Sequence, residues 1–206
     1  MASNVEIAGG MLRLTAQKEN SGWAEFTTGA VETRDKAFFD AAKSSFRMCI
    51  FAQLPGGSGG TGAGYFPAFR LFPNDDSCVP DHGELDMMEQ LNGDDNIFAT
   101  YRTAPAAAPA CRNASSSEGS SLEELAYWYN EYAVEVNPDG TFDLLFNDDL
   151  VYEYNETLGL PTHVVPWFLN LGFGIGGDRP GPPNASTVFP AFVNIDWVQV
   201  VARSAR

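Results

Sequence analysis

The chain has 206 residues, enough for one domain with a substantial core, and a formal net charge of −15. That charge argues against nucleic acid and an anionic membrane as partners and, less strongly, against a sulfated polysaccharide, whereas a neutral polysaccharide tolerates it. Only 19% of residues are charged, 13% are aromatic, and Gly and Pro number 20 and 13, a turn-rich composition that favours strands over helices.

No apolar run reaches the length of a transmembrane helix. Met1-Ala2-Ser3-Asn4-Val5-Glu6 lacks the basic start and apolar segment of a signal peptide. Sequons at Asn113, Asn155 and Asn184 nevertheless suit a secreted, glycosylatable protein. Cys49, Cys78 and Cys111 form no metal motif. Cys78 and Cys111 lie in loops and pair if those loops meet, or stay free; Cys49, in an apolar run, reads as a buried thiol.

Strands are expected along most of the chain. Val5-Glu6-Ile7 and Met11-Leu12-Arg13-Leu14-Thr15-Ala16 flank a Gly9-Gly10 turn, and the second alternates cleanly. Residues 26–34 and 45–54 give two more strands, the latter ending at Pro55-Gly56-Gly57. Residues 56–64 hold six glycines in nine and read as a flexible loop; with no Lys-Ser/Thr ending it is not a phosphate loop. Residues 65–73 are a strand, and Asn74 to His82 is a loop into the acidic stretch. A strand over 96–103 precedes the Ala-Pro and Ser-rich residues 104–121, which read as a long surface loop, and a short helix through residue 129. Strands return at 130–136 and 141–146 around Pro138-Asp139-Gly140. Asn147-Asp148-Asp149 turns into a strand over 150–154; the D-x-[DN]-x-[DN]-G spacing is absent, so this is a hairpin turn and not a calcium loop. Residues 166–177 and 194–200 complete the set.

The chemistry is concentrated in Gly83-Glu84-Leu85-Asp86-Met87-Met88-Glu89-Gln90-Leu91-Asn92-Gly93. On a strand, Glu84 and Asp86 share one face while Leu85 and Met87 point to a core. Glu89 is out of phase, and one extra residue inserted as a β-bulge near Met87-Met88 returns it to the acidic face. On a helix the same residues would be an acidic solvated face. Carboxylates crowded on one face push at least one of the group toward its protonated form. That division of labour is what a retaining glycosidase needs: one carboxylate as nucleophile, another as general acid.

Glu84-Leu85-Asp86-Met87-Met88-Glu89 resembles the E-[ILV]-D-x-x-E signature of glycoside hydrolase family 16 in its bulged, laminarinase-like form; the E-x-D-x-E form belongs to lichenases and xyloglucan transglycosylases. The resemblance runs over residues 4–202 in the order Leu54-Pro55-Gly56-Gly57, Pro67-Ala68-Phe69, the acidic motif, Tyr132-Ala133-Val134-Glu135, Gly176-Gly177-Asp178-Arg179-Pro180-Gly181 and Ile195-Asp196-Trp197-Val198. It implies an all-β, concanavalin-like β-jelly-roll sandwich of two antiparallel sheets, forming one catalytic domain over residues 1–206 that lacks the family's usual N-terminal segment.

For the site it implies Glu84 as nucleophile, Glu89 as general acid/base and Asp86 as the hydrogen-bonding residue between them. Phe66 and Arg70 stand where the family's W-P-A-x-W-L-x-P strand carries tryptophans, and Val79 stands where many members place a Trp under the sugar. Phe66, Arg70, His82, Asn130 (in place of the family's His) and Trp167 are the expected substrate-binding residues, with Trp167 placed either against a sugar or in the core. Asp196 is a possible structural calcium ligand; the chemistry needs no cofactor. The expected activity is endo-acting, retaining hydrolysis of β-1,3-glucan by an extracellular monomer. A β-galactan hydrolase, a glucan transglycosylase and a non-catalytic glucan-binding protein are the alternatives.

Overall fold

The computed structural model describes residues 4–22, 24–40, 43–74, 83–103, 115–119, 128–137, 141–154 and 166–203. Its strands are β1 (Val5–Ala8), β2 (Met11–Lys18), β3 (Phe26–Thr27), β4 (Ala30–Glu32), β5 (Phe46–Gln53), β6 (Tyr65–Pro73), β7 (Glu84–Gln90), β8 (Ile97–Thr103), β9 (Ser115–Gly119), β10 (Asn130–Val136), β11 (Phe142–Phe146), β12 (Asp149–Tyr154), β13 (Trp167–Ile175) and β14 (Ala191–Ala202). A single 3-10 turn, Ser58–Gly60, is the one helical element among the described residues.

The strands form two antiparallel sheets. One has the order β1-β2-β14-β5-β10-β11-β12, with β3 added on β2; the other is β4-β13-β6-β7-β8-β9. Period-two alternation on both sheets supplies the shared core. Leu14, Met48, Ile50 and Val134 come from the larger sheet, and Phe69, Leu71, Leu85 and Trp167 from the smaller. Phe69 and Tyr132 meet edge-on across the layers, with ring centroids 5.6 Å apart. This is the two-sheet jelly-roll sandwich expected from the sequence.

Three local expectations change. The strand expected over 26–34 is split: Phe26–Thr27 pairs with β2, while Ala30–Glu32 pairs with β13 in the other sheet. The chain crosses between sheets at Gly29, where a Cβ would lie 2.1 Å from the Asn4 carbonyl oxygen; only glycine fits there. The glycine-rich residues 56–64 are not a loose loop. A Cβ on Gly57 or Gly62 would lie 2.4 Å from the Asn92 carbonyl oxygen, so the segment is packed backbone to backbone on the turn that follows β7. In the expected surface loop over 104–121, residues 115–119 pair with β8 as an edge strand. The rest of that loop, the expected helix before residue 128, the Pro138-Asp139-Gly140 turn, Asn113, Asn155, Val79, Cys78 and Cys111 lie outside the described residues.

The β11–β12 turn and the Cys49 thiol are as expected. Asn147 and Asp148 take φ of 50° and 68° in the β11–β12 hairpin, the left-handed geometry that a tight hairpin turn demands. Cys49 is a buried free thiol, lying under Arg47, whose Nε donates to Sγ at 3.0 Å.

Candidate active site

The acidic motif lies on β7, flanked by β6 and β8 in the middle of the smaller sheet. Against β8, Asp86 faces Thr100 and Glu89 faces Phe98; against β6, Arg70 faces Asp86 and Phe69 faces Met88. Three steps on β7 match two on β8, so β7 carries one extra residue at Met87. The bulge does what the sequence required. Leu85 and Met88 take the packed face, and Glu84, Asp86 and Glu89 share the outer one. Met87 is buried as well.

All three carboxylates are nearly closed off from solvent, with Glu84 7%, Asp86 0% and Glu89 1% exposed. Burial of this kind requires compensating charge. Arg70 on β6 supplies it with Nε 2.9 Å from Asp86 Oδ1 and 3.9 Å from Glu84 Oε1, and Nη2 3.2 Å from Glu89 Oε1. Arg102 on β8 approaches from the other flank. Its Nη1 lies 2.5 Å from Asp86 Oδ2 and 3.3 Å from Glu84 Oε1, with Nη2 3.9 Å from Glu89 Oε2. Arg179, from the turn after β13, places Nη1 2.5 Å from Glu89 Oε2. Thr100 Oγ1 donates to that same oxygen at 3.3 Å. Three carboxylates thus face three guanidiniums.

Asp86, in the middle, has its pKa pushed up to about 8. Burial is the first cause, and the charges of Glu84 and Glu89 add to it; Arg70 and Arg102 pull the other way without making up the difference. Burial works against the charge of Arg102, but Asp86, Glu84 and Glu89 outweigh it and raise its pKa. The expectation that crowding would leave one carboxyl protonated near neutral pH falls on Asp86.

The other expected site residues divide. Arg70 is in the site, bound to the acids. Phe66, four residues away on the same face of β6, has its ring centroid 5.0 Å from the Arg70 guanidinium carbon. His82 lies outside the described residues. Trp167 is a correction to its sugar-binding role: it is 0% exposed in the core, and its Nε1 donates to the Gly83 carbonyl at 2.7 Å. It anchors the start of β7 from beneath. Asn130 is a second correction. It belongs to β10 in the opposite sheet, where Oδ1 accepts from Asn147 Nδ2 at 2.9 Å and Nδ2 donates to the Trp128 carbonyl at 3.2 Å; it fastens a hairpin turn. Asp196 is exposed on β14 at the bulge between Ile195 and Trp197. Among the described residues no three His, Cys, Asp or Glu side chains gather to hold a metal ion, so the described side chains do not by themselves make a calcium site at Asp196.

Sequence reasoning missed Arg102, Arg179 and Thr100. Arg102 and Thr100 alternate correctly on β8, but which acids they face depends on register, which one strand does not encode. Arg179 sits in the Gly-Gly-Asp-Arg-Pro-Gly turn, 90 residues along the chain from the Glu89 it bonds.

Comparison with known proteins gives a consistent picture. No protein-family model matches the chain. A β-glucanase of Rhodothermus marinus is 26% identical over 223 aligned positions, covering 96% of this chain and 70% of the relative. The solved laminarinase from Rhodothermus marinus is 27% identical, covers 97% of this chain and 80% of its own, and superposes with a TM-score of 0.77. The endo-β-1,3-glucanase of Pyrococcus furiosus, 23% identical, covers 100% of this chain and 80% of its own with a TM-score of 0.82, a likeness of fold.

Proposed function

We propose that this chain, which belongs to the laminarinase-like branch of glycoside hydrolase family 16, is a retaining endo-β-1,3-glucanase. One observation carries the reading: the bulge at Met87 brings Glu84, Asp86 and Glu89 to one face, where Glu84 and Glu89 both lie within 4.0 Å of the Arg70 and Arg102 guanidiniums. A bulge that turns a buried acid outward to join two others is costly, and acid–base chemistry on a glycosidic bond explains it.

In this mechanism Glu84 attacks the anomeric carbon as Glu89 gives a proton to the leaving oxygen. Glu89 then takes a proton from water, which releases the sugar from Glu84 with net retention. Arg70 and Arg102 flank Glu84 and hold it in place. Asp86, flanked by both glutamates, fixes their separation and carries a proton at neutral pH. The relatives named as laminarinase and β-1,3-glucanase favour β-1,3-glucan as the substrate. A secreted location and action as a monomer belong to the same proposal.

The test is reducing-sugar release from laminarin, mixed-linkage glucan and agarose by the wild type and by Glu84→Ser. Release from laminarin that disappears in the variant is expected. Release from agarose alone would replace the glucanase with a galactanase. Binding of laminarin without release from any substrate would leave a glucan-binding protein.

A further inference from the structure

Glu84 and Glu89 are held differently. Glu89 Oε1 accepts from Arg70 Nη2 at 3.2 Å, and Oε2 accepts from Arg179 Nη1 at 2.5 Å and from Thr100 Oγ1 at 3.3 Å. Arg102 Nη2 lies 3.9 Å from Oε2, and Asp86 and Glu84 face it from its own strand. Both oxygens of the proposed acid are therefore occupied by cationic donors.

The three arginines differ in how they are built in. Arg70 and Arg102 come from the strands on either side of β7, and each lies within 4.0 Å of all three carboxylates. They are fixed parts of the floor. Arg179 comes from a turn in which Gly176, Gly177 and Gly181 have φ of 73°, 111° and 71°. Its side chain is 30% exposed, against 19% for Arg70 and 21% for Arg102. Its guanidinium carbon lies 5.4 Å from the Phe98 ring centroid, so the exposed guanidinium stands over the acid at the outer surface.

A carboxyl oxygen that accepts a hydrogen bond from a guanidinium at 2.5 Å does not present a proton to a glycosidic oxygen in the same direction. We infer that Arg179 is a positioning residue that glucan displaces: it holds Glu89 in the free protein and gives up Oε2 to the leaving oxygen when the sugar chain seats. This inference rests on Glu89 being the general acid. Its consequence is that seating the glucan must break a charge-assisted hydrogen bond, and part of the binding energy goes to that step.

The experiment is calorimetric titration of laminarihexaose into the intact protein carrying Glu84→Gln, which stops turnover, with Arg179 retained or changed to Met, Gln or Lys. Arg179→Met is expected to bind about tenfold more tightly, the factor that one hydrogen bond to a charged group carries. Arg179→Gln, a polar replacement available if the Met variant folds poorly, is expected to follow it. Arg179→Lys, which keeps the cation, is expected to stay near the parent. With Glu84 intact, Arg179→Met should lower KM, whereas Arg179→Lys should keep the parent value, the pattern expected when a ground-state contact to Glu89 is removed. Unchanged or weaker binding by the Met and Gln variants would overturn the inference while leaving the glucanase reading in place. Failure of the parent to bind laminarihexaose would overturn the glucan reading and this inference with it.

Discussion

Arg70→Met removes the guanidinium that touches all three acids. The loss follows from the geometry. Asp86, 0% exposed, loses a partner at 2.9 Å, and Glu89, 1% exposed, loses one at 3.2 Å. Removing one partner of a buried ion pair costs about 3–5 kcal/mol, because the remaining charge stays buried without compensation. Asp86 holds its proton at neutral pH, and Arg102 and Arg179 remain beside the acids, so the loss falls at the lower end, about 3 kcal/mol. For a chain of this size that lowers Tm by roughly 6–12 °C.

The loss should depend on pH. The folded protein holds the Asp86 proton up to about pH 8, well above the unfolded value near ~4. The Asp86 contribution to stability is therefore complete below pH ~4 and is lost as pH rises toward 8. Without Arg70 a cation that favours ionised Asp86 is gone, so the variant should lose more stability at pH 8 than at pH 5. Differential scanning calorimetry at both values checks this. A Tm within about 1 °C of wild type at pH 8, or a larger loss at pH 5, would refute the view that buried acids and arginines balance one another here.

Two further outcomes follow from the same framework. Deleting Met87 removes the bulge, restores plain alternation and should leave Glu89 on the outer face with measurable laminarin hydrolysis; a reducing-sugar assay on this variant decides it. Trp167→Phe keeps most of the packing but leaves the Gly83 carbonyl without its 2.7 Å donor, which should cost about 1–3 kcal/mol in urea unfolding with laminarin affinity unchanged. A loss of affinity without a loss of stability would return Trp167 to a sugar-binding role.

The sequence by itself determined the sandwich, because period-two alternation with Gly, Pro and Asn turns leaves few other ways to bury that many apolar side chains. It also determined the acidic row, because Glu89 falls out of phase by one residue, and a single bulge is the smallest local change that corrects it. These are properties of short stretches, so they are legible in short stretches. The tertiary structure decided what depends on pairing across the chain. Trp167 opens a strand whose two faces are chemically alike in sequence, and only its register with β6 sends the indole into the core beneath Gly83. The 26–34 strand divides because Gly29 passes under Asn4, a contact between segments 25 residues apart. Arg102 and Arg179 reach the acids from β8 and from the turn after β13, and charge acts through space without regard to sequence separation. The acids were therefore visible in the sequence, while the arginines that make their burial tolerable became visible only once the strands were paired.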